Sequence, residues 1–297
     1  MKKTPFLFII LAGVFWGTSG LFVHFLSPRG FSPLHMAAVR GTIAFLGLGL
    51  FALIRNRSLF RVRLTELFLF LCIGATMFGS ATFYYSSMQM TSVSTAVVLM
   101  YTAPVYVSIV SALCFGERFG RLKLLAVGLM LVGCCLVSGI IGGLRFDPLG
   151  ILLGALSGIS YAGYNVLTKW ALRRGSAALS TSLYSFLFMA IISVCACRVW
   201  QIPSLVAKNP PLLIPLLLGL GIFTYVLPFL LYTLAMRDLP AGTASALGIV
   251  EPMAATLFSV VFLGEALTVF SILGILLILF SVFLLSKTES AADTDPS

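Results

Sequence analysis

Glu251 is the only carboxylate that falls deep inside an apolar run of this chain, ten residues from the start of that run, and Pro252 follows it directly. Proline brings no amide donor and clashes with the carbonyl four residues back, so the pair predicts a freed Gly248 carbonyl beside a titratable acid. Such an arrangement can hold a proton or an amine. Pro104, in a second apolar run, should free the Met100 carbonyl beside Tyr101 in the same way. Helix kinks are therefore expected at Pro104 and Pro252. Arg40 sits eight residues into a third run, roughly 10 Å along a helix at 1.5 Å per residue. An unpaired guanidinium that deep in a bilayer costs about 2.5–3.5 kcal/mol, so it must face protein or water and find a partner. Two roles fit it: a contact for a substrate anion or a gate, and a structural tie to a carbonyl or to Glu251.

Trp16, Tyr101, Tyr161 and Tyr164 fall near the middle of their runs, where an aromatic polar group needs a partner or water. Tyr84 and Asn165 lie on the same elements. With Arg40 and Glu251 these residues are expected to line a cavity, and Glu251 is the candidate for energy coupling. Aromatic walls suit aromatic, amphipathic or cationic solutes. Tyr84 and its neighbour Tyr85 also fit the duller role of interfacial anchors. His24 and His35 flank the connection between the first two runs and read as solvated or hydrogen-bonded residues. Glu117 and Glu265, each after a glycine, read as turn and capping residues. Gln89 and Lys169 read as rim residues. Cys72, Cys114, Cys134, Cys135, Cys195 and Cys197 lack metal-ligand spacing and read as small packing residues.

No catalytic residue, metal or cofactor is expected. An enzyme would need an acid–base or nucleophile constellation within one cavity, and the two histidines and one deep acid do not supply it. A channel would need rings of one charge sign, which the runs lack. No GxxxxGK[ST] phosphate loop occurs, so energy for transport would come from a gradient or from exchange.

The elements that must position these residues are membrane helices. Sixty per cent of the chain is apolar and 9% charged, against about a quarter charged in soluble domains. With about 20 residues needed per crossing, ten spans are expected near 5–26, 33–54, 65–86, 92–115, 122–140, 148–170, 179–198, 211–234, 241–262 and 268–286. The first run is too long for a signal-peptide core and is read as a span. With the N-terminus inside, fourteen Lys and Arg residues (Lys2, Lys3, Arg55, Arg57, Arg61, Arg63, Arg118, Arg121, Lys123, Lys169, Arg173, Arg174, Arg237, Lys287) fall on that side. Arg29, Arg145, Arg198 and Lys208 fall on the other. This is the positive-inside bias, and it accounts for the net charge of +10 without a nucleic-acid partner.

The chain also repeats itself. Shifted by 148 positions, Pro104 meets Pro252, Gly116-Glu117 meets Gly264-Glu265, Thr95-Ala96 meets Thr243-Ala244, Tyr84 meets Tyr232, Met88 meets Met236, Leu99 meets Leu247 and Ser111 meets Ser259. These are nine identities over residues 84–117, where about three arise by chance in so biased a composition. Five spans per copy force the second copy into the membrane upside down, the inverted-repeat arrangement of alternating-access carriers. Gly13-x3-Gly17 and Gly150-x3-Gly154-x3-Gly158 should let backbones approach within the monomer.

Gly13-Val-Phe-Trp16-Gly17-Thr-Ser-Gly20, Ser32-Pro33-Leu with Ala38-Val-Arg40, Tyr101-Thr-Ala-Pro104 running to Gly116-Glu117-Arg118, and Glu251-Pro252 running to Gly264-Glu265 together resemble the EamA-type family of the drug/metabolite transporter superfamily. The resemblance covers about residues 5–286. It implies an all-α integral membrane protein of ten transmembrane helices, two inverted five-helix repeats around a central cavity, with both termini cytoplasmic. The repeats would be 1–140 (spans 1–5) and 141–286 (spans 6–10), followed by a disordered cytoplasmic tail, 287–297. The implied function is secondary active transport of a small metabolite, an amino acid or other amphipathic, amine-bearing solute, in the direction of export. A multidrug exporter or a nutrient importer of the same fold is the alternative, and a membrane-embedded enzyme a remote one. Spans one and six hold no acid, which speaks against the proton-coupled mechanism of the small multidrug exporters. The expected setting is the bacterial cytoplasmic (inner) membrane, with the bilayer and a small-molecule substrate as partners and a monomer as the unit.

Overall fold

The computed structural model describes residues 4–55, 57–91, 96, 99–115, 120–137, 147–248, 250–264 and 268–292. Glu117, Glu265 and Gly116 lie outside the described residues. The described chain winds into fourteen α-helices: α1 (Thr4–Gly17), α2 (Ser19–Leu26), α3 (Pro33–Arg55), α4 (Leu64–Met90), α5 (Ala103–Phe115), α6 (Arg121–Val137), α7 (Pro148–Arg173), α8 (Ala178–Ala196), α9 (Gln201–Val206), α10 (Pro210–Gly221), α11 (Leu227–Ala235), α12 (Ala241–Leu247), α13 (Val250–Leu263) and α14 (Val269–Ala292). A π-helical turn, Ile222–Val226, joins α10 to α11.

Seven segments among the described residues are long and apolar enough to cross a membrane: Thr4–Arg29, Pro33–Ile54, Leu64–Ser87, Pro148–Arg173, Ala178–Ala196, Pro210–Ala235 and Thr243–Leu263. Leu124–Leu136 and Ile272–Ser281 are shorter apolar helices. The expected fourth span is split, because Tyr101 and Thr102 form a turn and α5 is only 13 residues long. At the other end of the chain, α14 continues to Ala292, past the tail expected from Lys287. The stretch from Ser286 to Ala292 contains no glycine or proline to stop it.

The packing pairs follow the 148-residue offset. The most extensive contacts are α4 with α7 and α6 with α14, followed by α3 with α8, α4 with α8, and α1 with α11 and α13. Under the offset α4–α7 corresponds to α11–α1, whereas α3–α8 and α6–α14 each correspond to themselves. Small residues permit the closest of these approaches. A Cβ on Gly17 would stand 2.7 Å from the Ala254 Cβ, and one on Gly158 would stand 2.9 Å from the Leu99 carbonyl oxygen. Both glycine stripes therefore pack helices inside the chain. The turn that follows α3 accepts hydrogen bonds from the start of α8: Ser180 Oγ donates to the Leu59 carbonyl (3.0 Å) and Tyr184 Oη to the Phe60 carbonyl (2.9 Å). Near the start of α3, a Cβ on Gly30 would stand 3.2 Å from Leu205, beyond the end of α8. So α3 and α8 run antiparallel.

Candidate functional site

Two helix breaks meet in the middle of the molecule. On one side the chain turns at Tyr101–Thr102, where both the amide and the hydroxyl of Thr102 donate to the Leu99 carbonyl (3.3 and 2.6 Å). On the other side α12 ends at Leu247 and α13 begins at Val250. Pro104 stands second in α5 and Pro252 third in α13, both in a first turn, where proline costs no helical hydrogen bond. The expected kinks are thus breaks that precede each proline. The Gly248 carbonyl is not left open as expected, since the Glu251 amide donates to it at 3.0 Å. What the two breaks bring together is a side-chain pair: Tyr101 Oη donates to Glu251 Oε2 at 2.5 Å.

The aromatic residues of α1, α7 and α11 wall this pair. The Trp16 ring lies 5.1 Å from Phe229, 5.3 Å from Tyr232 and 6.4 Å from Tyr161, centroid to centroid. Tyr161 stacks on Tyr164 at 6.1 Å, and Tyr164 meets Phe229 edge-on at 5.3 Å. Tyr161, Tyr164, Asn165 and Tyr232 are buried. Tyr232 Oη donates to Asn165 Oδ1, and Asn165 Nδ2 donates to the Tyr161 carbonyl at 2.7 Å. Tyr164 and Thr233 approach at 3.4 Å through their hydroxyls. Beyond Tyr164, the buried hydroxyls of Thr168, Ser182 and Ser185 have no hydrogen-bond partner and border a small void with Phe186 and Phe229.

Arg40 is 4% exposed, and neither the carbonyl nor the Glu251 partner expected for it holds its Nε or Nη2. Instead its guanidinium carbon lies 5.1 Å from the Tyr85 ring centroid and 5.5 Å from that of Tyr225. Two aromatic faces stabilise a dehydrated cation electrostatically, each by about 1–2 kcal/mol. Tyr85 is therefore no interfacial anchor. It is buried and serves Arg40, and Tyr84 stands against it at 5.5 Å. Lys169 is likewise no rim residue: it is 7% exposed, and its Nζ donates to the Met236 and Leu239 carbonyls (2.8 and 2.6 Å) just past the end of α11. His35 caps α3, exchanging bonds with Ser32 through Nδ1 and its own amide; His24 is exposed.

Sequence reading passed over Tyr225, Phe229 and Tyr232 as lining residues. Their spacing of i, i+4 and i+7 places three rings on one helical face, a signal that was available. The π turn that carries Tyr225 left no such trace. Among the described residues no group of three or more His, Cys, Asp or Glu is placed to hold a metal ion, and no disulfide joins the cysteines.

A bundle of long apolar helices with a buried, acid-bearing aromatic centre defines a multi-pass membrane protein. The chain belongs to the EamA-like transporter family, whose model matches it twice, over residues 3–139 and 148–287. It is 27% identical to the uncharacterized transporter YwfM of Bacillus subtilis over 299 residues, covering 96% of this chain and 97% of that one. It is 30% identical to an uncharacterized transporter of Archaeoglobus fulgidus over 290 residues, covering 93% and 94%. One crystal structure, 20% identical, superposes with a TM-score of 0.81 over 99% of this chain and 100% of the other, a likeness of fold. The protein is a membrane transporter, and its environment is the lipid bilayer.

Proposed function

We propose that this protein is a secondary active transporter that carries a small amphipathic, amine-bearing metabolite, such as an amino acid, outward across the bacterial cytoplasmic membrane. It does so as a monomer, by alternating access through a chamber around Glu251. The observation that carries this reading is the Tyr101–Glu251 hydrogen bond. It joins two helix breaks that lie at matched places in the two copies, and broken helices at matched places mark a midplane site in carriers. An amine would take the place of the Tyr101 hydroxyl on the Glu251 carboxylate while Trp16, Tyr161 and Tyr164 receive its apolar part. Arg40, with two nitrogens lacking hydrogen-bond partners, is the group suited to an anionic end of the same solute.

Ten spans in two inverted copies, 1–140 and 141–286, complete the reading. The antiparallel packing of α3 against α8, counterparts under the offset, supports the inversion. In such a scaffold the two copies exchange roles as the chamber opens to one side and then the other.

The test is counterflow in proteoliposomes. Preloaded amino acid should drive uptake of the labelled solute, and Glu251→Gln should leave the protein folded but make its transport rate independent of pH. An unchanged pH profile in that variant removes Glu251 from coupling, and absence of counterflow with every amine-bearing solute tried removes the substrate class.

A further inference from the structure

A second site lies away from the chamber, where the connection from α3 to α4 meets the turn from α7 to α8. Arg57–Phe60 forms a 3₁₀ turn, and the chain reaches α4 through Arg61, Val62 and Arg63. Opposite them, Arg174 ends α7 and Gly175 turns the chain with φ at 88°. The bonds of Ser180 to Leu59 and Tyr184 to Phe60 tie the 3₁₀ turn to the first turns of α8 at one edge of the gap. Between them opens a cleft of about 770 Å³, lined by Arg61, Arg63, Arg174, Glu66 and Ser176 among others.

Three arginines and one glutamate line it, a local net charge of +2. Glu66 is already engaged by uncharged donors, Oε2 by the Arg63 amide (2.7 Å) and Oε1 by Ser176 Oγ (2.5 Å). Arg63 acts on Glu66 through space as well, and the Arg174 guanidinium lies over the Trp170 ring. The cleft therefore has positive charge to offer and a rigid frame to offer it from.

Its depth points to the ligand. The Arg174 guanidinium lies 4.1 Å from the ring centroid of Trp170, which is 41% exposed. Tryptophan at a helix end sits at the level of lipid headgroups. On the first turns of α4, Leu64 and Phe68 are 84% and 71% exposed, surfaces suited only to acyl chains. A guanidinium fork matches phosphate oxygens in geometry and charge, and basic clefts between transmembrane helices recognise anionic headgroups. From these features we infer that the cleft binds a phosphate group, that of an anionic phospholipid whose chains lie along Leu64 and Phe68.

Native mass spectrometry of the full chain released from mixed phosphatidylcholine and phosphatidylglycerol tests this. The wild type should retain phosphatidylglycerol in preference to phosphatidylcholine. Arg61→Gln combined with Arg174→Gln should weaken that retention roughly 30-fold, the effect of two basic residues at a membrane surface. Arg198→Gln with Lys208→Gln, outside the cleft, should leave it unchanged. Equal retention of both lipids by the wild type overturns the proposal, whether or not the double variant folds. So does competition by millimolar glycerol 3-phosphate that removes the preference, which would make a soluble phosphate the ligand. Binding is read without transport, so neither result bears on the carrier reading.

Discussion

The two ends of the α3–α8 pair are counterparts under the 148-residue offset, yet they are built from opposite materials. At one end the connections 57–63 and 174–177 enclose a polar cleft framed by arginines and bounded by side-chain bonds to the backbone. At the other, Leu26, Phe31, Met36, Leu213, Leu217 and Leu220 form a buried apolar cluster, and the short helix α9 adds Ile202, Leu205 and Val206 to it. Duplication supplied both ends with one framework, and the residues that diverged afterwards decided that one end is sealed by packing and the other wet.

The sharpest way to break the comparison is to hollow out the sealed end. Leu213 is 2% exposed, and Leu213→Ala should lower the unfolding free energy in detergent by about 3 kcal/mol, the cost of lost burial plus a cavity. If the cost stays under about 1 kcal/mol, the apolar end is not packed as a core. At the wet end stability resides in hydrogen bonds. Ser176→Ala, which removes a donor from the Glu66 carboxylate, should cost about 1.5 kcal/mol; the same denaturation measurement detects it.

A smaller but more direct contrast uses two turn glycines, Gly30 and Gly175, both with φ at 88°. Alanine at either is strained by about 1 kcal/mol. A Cβ on Gly30 would also press on Leu205 at 3.2 Å, whereas one on Gly175 meets nothing within 4 Å. Gly30→Ala should therefore destabilise more than Gly175→Ala, and equal costs would mean that Leu205 yields freely.

How much of this was legible in the residues depends on which physical rule carried the information. Apolar run length and the repeat of Pro104 at Pro252 pointed to membrane helices and to a disturbance in the middle of two of them, because a missing amide is a property of one residue. Whether that disturbance is a kink or a break depends on which residue the following helix starts from, and so the Gly248 carbonyl was misjudged. Arg40 was recognisable as needing a partner. That the partners are Tyr85 and Tyr225 was not, because the two rings come from helices far apart in sequence and one rides on a π turn that shifts the facing of α10 against α11. Lys169 looked like a rim residue because its position near a helix end is compatible with either water or two carbonyls, and only the fold brings Met236 and Leu239 to it.

That lysine has a mechanical consequence. Its ammonium stitches the end of α7 to the carbonyls beyond α11 in surroundings almost closed to water. Prising those helices apart would break both of these charge-assisted hydrogen bonds, at about 1.5–3 kcal/mol each, unless water flows in to replace them as they separate. The seam thus behaves like a wet-release clasp: the two helix ends part only along a route that floods.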